Sequence, residues 1–404
     1  MKMPTLAQLR PVRPAIRTRD IRYAVRDIVV LAEAAQAAGR EMLYLNIGDP
    51  NIFDFAPPDH IVEATYQAMR ANLNGYAPSS GIPEAREAIR VEAERLGIRQ
   101  IRHAFVTTGA SEAIDLALSA LADQGDNVLT PSPGYPLYTA LLARLGVENR
   151  PYFLDESNGW QPDIADIAAK IDGRTRAIVL INPNNPTGSV CSKATLQSIV
   201  ELSVSRDTVL FSDEIYDKLL LDDLTHTATA SLSDDAKVVT FNGLSKSYVV
   251  PGFRMGWGIV SGPKGAMDDY CDAIRKMERA RLSANHPEQY AIRPALEGSQ
   301  NHLIEMRSKL TRRRDITTRR LNAIDGISCA EPRGAFYAFP RLELGVSDTE
   351  FCARVISDTG VVIVPGSGFG QMPGSDHFRV VFLPQEDVLE RAFDGISHIA
   401  AKYH

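Results

Sequence analysis

The amino-acid sequence predicts an α/β protein with a large domain of buried strands and a smaller domain towards the C-terminus. Two observations lead to this class. Runs of Val, Ile and Leu alternate with helical segments through the middle of the chain, which is typical of strands buried between two layers of helices. The C-terminal part instead carries several short apolar segments close together, which indicate a small separate sheet.

The large domain is defined by apolar runs that predict its strands. In chain order these are HAFVTTG (103–109), NVLTPSPGY (127–135), RAIVLINPNNPTG (176–188), TVLFSDEIY (208–216), KVVTFNGLSK (237–246) and GWGIVSG (256–262). The segment ASEAIDLALSALA predicts a helix directly after the first run, and an amphipathic helix is predicted near residues 264–285. Strands that alternate with helices in this way favour the α/β class.

The small domain is predicted from the pattern after residue 300. A helix over residues 302–324 leads into the segments GAFYAFPRL, GVVIVPGSGFG and HFRVVFLP, which predict the strands of the small sheet. We therefore predict three parts of the chain. Residues 1–69 form an N-terminal arm and part of the small domain, residues 70–300 the large domain, and residues 301–404 the small C-terminal domain.

Composition narrows the possible functions. The 404 residues carry a net charge of −6, which disfavours nonspecific binding to nucleic acid. No apolar stretch predicts a signal peptide or a membrane span, so a cytoplasmic protein is expected. The four cysteines lie far apart without CxxC spacing, and the eight histidines show no metal-binding spacing. We expect structural, reduced cysteines and no metal site.

The candidate functional residues follow the predicted strands, where a doubly wound sheet binds its ligands. They are Gly109, Ala110, Ser111, Tyr135, Asn185, Asp213, Tyr216 and Lys246. Taken alone, Asp213 is best explained as a helix cap and Lys246 as a solvated surface residue. Tyr216 comes one helical turn after Asp213, which predicts that the two side chains are neighbours.

Two further features indicate an anion site. The turn TTGASEA opens a helix, and the free N–H groups at such a helix start suit a phosphate, although Ser111 could simply cap the helix. Arg254 lies between Phe253 and Met255, an apolar setting in which a buried guanidinium needs an anionic partner.

Together these segments resemble a known enzyme family. NPNNPTG, SDEIYD and NGLSKSY…GFRMGW are similar to the signature segments of class I pyridoxal-phosphate-dependent aminotransferases, and the resemblance runs from LNIGDP at residue 45 to FRVVFLP at residue 378. LNIGDPNIFDF, WQPDI and GAFYAFP are most similar to alanine aminotransferases of the archaeal and bacterial type. The resemblance implies the aspartate-aminotransferase fold (PLP fold type I), with a mostly parallel seven-stranded sheet between helices and a smaller α+β domain.

The resemblance also implies how pyridoxal 5′-phosphate (PLP) is held. Lys246 is the expected Schiff-base lysine and proton shuttle, and a carboxylate at Asp213 favours the cationic ring nitrogen. Asn185 and Tyr216 are expected to donate hydrogen bonds to the phenolate oxygen of the ring, on which Tyr135 stacks. The expected phosphate site consists of Gly109, Ala110, Ser111, Ser245 and Arg254. Tyr76 resembles the tyrosine that reaches the phosphate of the neighbouring subunit, which predicts a homodimer.

For the substrate, the resemblance implies that Arg379 binds the α-carboxylate of an amino acid, with Asn185 and the backbone of Gly48 beside it. The alternative is a surface arginine on an edge strand. We further hypothesise that Tyr23 and Arg26 of the N-terminal arm close over bound substrate. The expected reaction moves an amino group between L-alanine and 2-oxoglutarate, giving pyruvate and L-glutamate, with ping-pong kinetics.

Other functions are compatible with parts of this pattern. An aspartate, aromatic or broad-specificity aminotransferase would share every motif, because side-chain pockets vary independently of the cofactor site. A PLP-dependent β-lyase that splits carbon–sulfur bonds would share the cofactor residues as well. A transcription regulator with this fold is disfavoured, because the stretch before LNIGDP is short for a DNA-binding module. GSGFG (366–370) lacks the helix of a dinucleotide site and is interpreted as a loop.

Overall fold

The computed structural model describes residues 12–21 and 24–404, and its largest feature is a sheet of eight strands. In chain order these strands are β2 (Ile101–Thr108), β3 (Asn127–Ser132), β4 (Glu148–Asp155), β5 (Gln161–Pro162), β6 (Thr175–Ile181), β7 (Val209–Asp213), β8 (Val238–Gly243) and β9 (Met255–Ser261). A separate short strand, β1 (Leu43–Tyr44), precedes them.

The strand order across the sheet is β2-β9-β8-β7-β6-β3-β4-β5. Strands β8, β7, β6, β3 and β4 are parallel neighbours, whereas β9 runs antiparallel to both β2 and β8. The predicted mostly parallel seven-stranded sheet is therefore confirmed, and β5 adds a two-residue strand at one edge. The hydrophobic pattern missed β4, because only two of its eight residues are buried and its sequence lacks a continuous apolar run.

Helices cover both faces of the large sheet. They are α2 (Asp59–Arg70), α3 (Pro83–Arg95), α4 (Ala110–Leu121), α5 (Pro136–Leu145), α6 (Ile164–Lys170), α7 (Lys193–Ser205), α8 (Asp268–Arg281), α9 (His286–Gln289) and α10 (Ile292–Glu297). Successive side chains of a strand point to opposite faces. Accordingly, Ile178 and Leu180 of β6 enter one core, while Ala177 and Val179 enter the other. Because the central strands are buried on both faces, their sequences are unbroken apolar runs.

The C-terminal part forms smaller sheets with their own core. Their strands are β10 (Ile327–Ser328), β11 (Tyr337–Ala338), β12 (Arg341–Leu342), β13 (Val361–Val362), β14 (Val364–Pro365) and β15 (Asp376–Val381). Strand β15 pairs with β11, β12 and β14, so it is the central strand of this sheet. The accompanying helices are α11 (Asn301–Asn322), α12 (Asp348–Thr359) and α13 (Glu386–Ala400).

The N-terminal segment is joined to these C-terminal strands. It contains helix α1 (Ala24–Ala37), and its strand β1 pairs in parallel with β13. The chain continues this contact beyond the strand, because the Val381 N–H donates to the carbonyl of Leu45 at 2.8 Å. Residues 43–45 and 361–381 therefore share a hydrogen-bonded framework. The predicted boundaries near residues 69 and 300 stay a prediction.

The sheet order explains where polar side chains gather. Strands β6, β7 and β8 are parallel and adjacent, so their carboxyl ends meet at one edge. The antiparallel strand β9 begins at that same edge, opposite the end of β2. Within the described part of the chain, none of the helices combines the length and apolar character that crossing a bilayer requires.

The core of the large sheet generates a stability prediction. Phe211 and Phe241 lie fully buried on neighbouring strands, with ring centroids 5.4 Å apart at 82°. Replacing Phe241 by Ala leaves a cavity, and we expect the free energy of unfolding to fall by about 3–5 kcal/mol. Urea denaturation followed by circular dichroism measures this change.

A matched control uses a surface residue of the same domain. Val204 on α7 is exposed, so Val204→Ala is expected to change the free energy of unfolding by no more than about 0.5 kcal/mol. Equal effects of the two substitutions would contradict the assignment of Phe241 to the core.

Candidate active site

A cavity of about 410 Å³ opens at the carboxyl edge of the large sheet. Eleven of the residues that the sequence singled out line it: Gly48, Ala110, Ser111, Tyr135, Asn185, Asp213, Tyr216, Ser245, Lys246, Arg254 and Arg379. They come from distant parts of the chain, and the fold brings them together as the positions of the strand ends predicted.

Lys246 lies in the turn after β8 and reaches into this cavity. Its Nζ donates a hydrogen bond to the Gly48 carbonyl at 2.8 Å. Burial is the main cause that lowers the pKa of the Lys246 ammonium to about 8; Asp49 opposes this shift, and the charges of Arg379 and Arg254 contribute to it. A substantial fraction of this side chain is therefore a neutral amine near pH 8, as a nucleophile or base requires.

Asp213 is the last residue of β7 and is 3% exposed. Its carboxylate accepts hydrogen bonds from the Tyr138 hydroxyl at 3.3 Å and from the Ile215 N–H at 3.4 Å. Burial raises the pKa of the Asp213 carboxyl to about 7, and the neighbouring Glu214 acts in the same direction. Since burial disfavours the charged carboxylate, a cationic group bound beside it would stabilise that form.

Arg379 lies on β15 and is 4% exposed. Its Nη2 donates to the Asn46 carbonyl at 2.6 Å, and its Nη1 donates to Asn185 Oδ1 at 3.3 Å. The guanidinium is held between the rings of Tyr337 and Phe369, at 4.9 and 4.7 Å from their centroids. Arg379 is therefore a fixed, buried cation at the cavity wall, and the alternative of a surface arginine is wrong.

Tyr216 lies near Asp213, as its spacing predicted, and both side chains are buried. The Tyr216 hydroxyl is 2.8 Å from the Tyr337 hydroxyl. Gly48 passes close to this pair, and a Cβ at residue 48 would collide with the Tyr337 hydroxyl. The close approach places the Gly48 carbonyl within reach of Lys246.

Gly109 and Arg254 are brought side by side by the register between Thr108 of β2 and Met255 of β9. Gly109 has a φ of 78°, and a Cβ there would collide with the Arg254 guanidinium. Glycine is required at this position both by the backbone conformation and by the space that Arg254 occupies. Arg254 thereby lies beside the first turn of α4, whose leading N–H groups have no partner within the helix.

The structure corrects one prediction, and some of the predicted site residues do not line the cavity. Arg254 is exposed at the mouth of the cavity rather than enclosed by its apolar neighbours, because its side chain extends over Gly109. Gly109 itself lies beneath Arg254 and does not line the cavity. Tyr76 is 82% exposed and lies away from the cavity of its own chain. Tyr23 lies outside the described residues.

Two residues that line the cavity, Tyr337 and Phe369, and one that contacts Asp213 from behind it, Tyr138, were missed by sequence reasoning. Tyr138 on α5 contacts Asp213, Tyr337 contacts Tyr216, and Phe369 packs on Arg379. Phe369 belongs to GSGFG, which was expected to be a loop but begins with a short 3-10 turn over Gly366–Phe369. Tyr138 follows Tyr135 by three residues in PSPGYPLY, so helical spacing was the available signal.

The donor set suits an anionic, aromatic cofactor with a basic ring nitrogen. Arg254 and the start of α4 form a cradle that a side chain at residue 109 would fill, which fits a phosphate. The buried Asp213 carboxylate has no ion pair with a basic side chain among the described residues, which fits a cationic ring nitrogen. Lys246 projects into the same cavity with a lowered pKa. The residues present therefore fit PLP.

Comparisons with known proteins agree with this geometry. The sequence profile of the family "Aminotransferase class I and II" matches residues 40–396. An alanine aminotransferase of Mycobacterium tuberculosis H37Rv is 40% identical over 397 residues, covering 96% of this chain and 92% of the relative. The glutamate-pyruvate aminotransferase AlaA of Escherichia coli K12 is 38% identical over 403 residues, covering 98% of this chain and 99% of the relative.

The overall fold also resembles that of a known aminotransferase. The solved structure of an alanine aminotransferase from Pyrococcus furiosus superposes with a TM-score of 0.93 at 40% identity, covering 96% of this chain and all of the other. Enzymes of this family depend on PLP. The family resemblance predicted from the signature segments is confirmed, and the chain belongs to the aminotransferase class I and II family.

Proposed function

We propose that this protein is a PLP-dependent alanine aminotransferase, which moves the amino group between L-alanine and 2-oxoglutarate. The observation that carries the proposal is the convergence of Lys246, Asp213 and Arg379 on one cavity. The relatives at 38–40% identity that are named alanine or glutamate-pyruvate aminotransferase support the choice of substrates. The products are pyruvate and L-glutamate.

The cofactor would be held by residues from both sides of the cavity. Ala110, Ser111, Ser245 and Arg254 would hold the phosphate, and Asp213 the ring nitrogen. Tyr135 would lie against the ring, with Asn185 and Tyr216 at its phenolate oxygen, and Lys246 would hold the aldehyde carbon. When bound, PLP supplies an electron sink that lowers the barrier to removing a proton from the substrate α-carbon.

Lys246 is the proposed base and acid of the reaction. Its Nζ, with a pKa of about 8, accepts the α-proton as a neutral amine and returns it as an ammonium group. The Gly48 carbonyl orients Nζ through the hydrogen bond at 2.8 Å.

Arg379 is the proposed site for the substrate α-carboxylate. Its guanidinium is fixed by Asn46 and by two aromatic rings, so it is preorganised for a bidentate pair. Asn185 and the Gly48 backbone lie beside it and would share the carboxylate. Closure of Tyr23 and Arg26 over substrate stays a prediction, because both side chains lie outside those that the structure describes.

The proposed active unit is a homodimer in the cytoplasm. Tyr76 supports this arrangement because a large aromatic side chain that is 82% exposed lies on a restrained loop. Arg281 donates to the Ser79 carbonyl at 3.1 Å, and the Ser80 carbonyl accepts from the Val106 N–H at 3.0 Å. An exposed tyrosine on this loop is suited to reach the phosphate in a partner subunit.

The substrate proposal is tested with a panel of amino donors against 2-oxoglutarate and pyruvate. L-Alanine with 2-oxoglutarate is expected to be the best or nearly the best pair, with parallel double-reciprocal lines that indicate ping-pong kinetics. Strong aspartate turnover with negligible alanine turnover would contradict the substrate assignment. Release of pyruvate from cystathionine at a higher rate would favour the β-lyase.

Lys246→Ala is expected to lower kcat by on the order of a thousandfold or more, because the proton-transfer group is lost. The matched control is Lys193→Ala, at an exposed position on α7, which is expected to leave kcat unchanged. Activity of the Lys246→Ala enzyme within tenfold of wild type would rule out the proposed role of Lys246.

The pKa of Lys246 gives a second test in the cofactor-free protein. A lowered pKa means that the reactive neutral amine becomes the major form above about pH 8, instead of above the usual 10.5. Lys246 is labelled with a small amine-reactive reagent over a range of pH, and the labelled fraction is measured by mass spectrometry. The labelling rate is expected to reach half of its maximum near pH 8. Asp49→Asn removes a group that raises this pKa, so its midpoint is expected to shift downwards. A wild-type midpoint near 10.5 would contradict the burial of this amine.

The dimer proposal is tested by subunit complementation. Lys246→Ala and Tyr76→Ala chains are co-expressed and purified through two different tags. A mixed dimer contains one site with both an intact Lys246 and an intact Tyr76 from the partner chain. Purification through both tags isolates the mixed dimers, and one of the two sites in each is intact, so we expect about half of wild-type activity. Activity no higher than the average of the two separate variants would show that Tyr76 does not act across the interface.

A further inference from the structure

A row of contacts connects the edge of the large sheet with the substrate arginine. It starts at Glu156, in the turn that follows β4, and continues through His377, Phe339 and Phe369 to Arg379. We call Glu156, His377, Phe339 and Phe369 the Glu156 relay. None of these four residues was singled out by the sequence.

The first step of the relay is a hydrogen-bonded contact between the turn that follows β4 and strand β15. Glu156 Oε2 lies 3.2 Å from His377 Nε2, and His377 is 2% exposed. Arg341 Nη1 also donates to Glu156 Oε2, at 3.1 Å, from the more exposed side. The pKa of the Glu156 carboxyl is lowered, although its burial opposes this, by hydrogen bonds and charge interactions with His377 and Arg341. Glu156 is therefore a carboxylate that ties the large sheet to β15.

The next steps are aromatic contacts in the interior. The His377 ring stacks on Phe339, with centroids 4.9 Å apart and planes within 5°, and Trp160 meets His377 edge-on at 5.4 Å. Phe339 meets Phe369 edge-on at 6.1 Å, and the Phe369 ring lies 4.7 Å from the Arg379 guanidinium carbon. Such pairs have preferred geometries, so a shift of one ring displaces the next.

The backbone provides a second connection. His377 and Arg379 are two residues apart on β15, so their side chains leave the strand on the same face. His377 lies opposite Arg341 in the ladder with β12, and Arg379 lies opposite Val364 in the ladder with β14. A displacement of His377 would therefore move Arg379 through the strand as well as through the aromatic rings.

We propose that Glu156 and His377 are positioning residues that hold Arg379 in its carboxylate-binding orientation and thereby set substrate affinity. Neither residue lines the catalytic cavity, so neither touches the reacting atoms. The inference rests on the proposed function, in which Arg379 binds the α-carboxylate. Every substrate of the reaction carries this group, so the relay acts equally on amino acids and oxo acids.

The test compares Glu156→Gln and His377→Gln with the wild-type enzyme. The KM values for L-alanine and for 2-oxoglutarate are both expected to rise by about five- to tenfold, and by a similar factor, because the shared carboxylate site is loosened. The kcat values are expected to stay within about twofold, because Lys246 and the cofactor contacts are untouched. Inhibition by propionate, a carboxylate without an amino group, is expected to weaken in parallel.

Two controls separate positioning from general damage. Arg341→Gln removes the exposed partner of Glu156 but leaves the Glu156–His377 pair, so its KM values are expected to stay near wild type. The double variant Glu156→Gln/His377→Gln is expected to resemble the single variants, because both substitutions break one interaction. Thermal unfolding of the holoenzyme shows whether each variant is folded.

The possible results separate the relay from the role of Arg379 itself. Unchanged KM values in Glu156→Gln would overturn the inference even if His377→Gln does not fold, because Glu156 is the more accessible partner. A loss of kcat as large as the rise in KM would also overturn it. Arg379→Lys is the reference: unchanged KM values there would refute the proposed role of Arg379 itself. A raised KM in Arg379→Lys with unchanged values in Glu156→Gln would refute the relay alone.

Discussion

The burial of the Asp213 carboxylate at the end of β7 is the constraint around which the site is organised. A carboxylate with so little exposure is costly unless a cation or several donors compensate it, and Tyr138 and Ile215 provide only long hydrogen bonds. Its raised pKa reflects this shortfall. The parallel strands on either side lead into the turns that hold Asn185 and Lys246, and all three residues line the same cavity.

The local electrostatics of the site oppose those of the whole molecule. The chain carries a net charge of −6, yet Lys246, Arg254 and Arg379 line one cavity in which Asp213 is the only carboxylate among the described lining residues. Each cation disfavours protonation of its neighbours, which contributes to the lowered pKa of Lys246. Anionic ligands restore the balance, and both the cofactor phosphate and the substrate carboxylate have this charge. Overall charge therefore gave no indication of what the site binds.

The sequence predicted those parts of the fold and site that depend on local order along the chain. Asp213, Lys246 and Asn185 were found because each follows an unbroken apolar strand, and burial on both faces produces such strands. Strand β4 was not predicted, because residues that are not buried interrupt its apolar pattern near the sheet edge. The roles assigned to the site residues came from family resemblance, since spacing alone could not exclude a helix cap or a surface lysine.

What the sequence could not predict depends on contacts between distant segments. Tyr337 and Phe369 are ordinary core residues by pattern. The pairing of β11 with β15 places Tyr337 against Tyr216, and the 3-10 turn after β14 places Phe369 against Arg379. Arg254 was expected to be enclosed, but the register of β9 against β2 directs it over Gly109 to the cavity mouth. Such outcomes follow from tertiary register, which hydrophobic periodicity does not contain.

The pairing of β1 with β13 has a mechanical consequence. Leu45 bonds to Val381, and Asn46 accepts from Arg379, so the segment that leads to Gly48 is fastened to the strand that carries the arginine. Although more than three hundred residues separate them in sequence, Gly48 and Arg379 are therefore joined by short hydrogen-bonded connections. A displacement of β15 would therefore move the Gly48 carbonyl and the Arg379 guanidinium together relative to Lys246, which follows β8 of the large sheet.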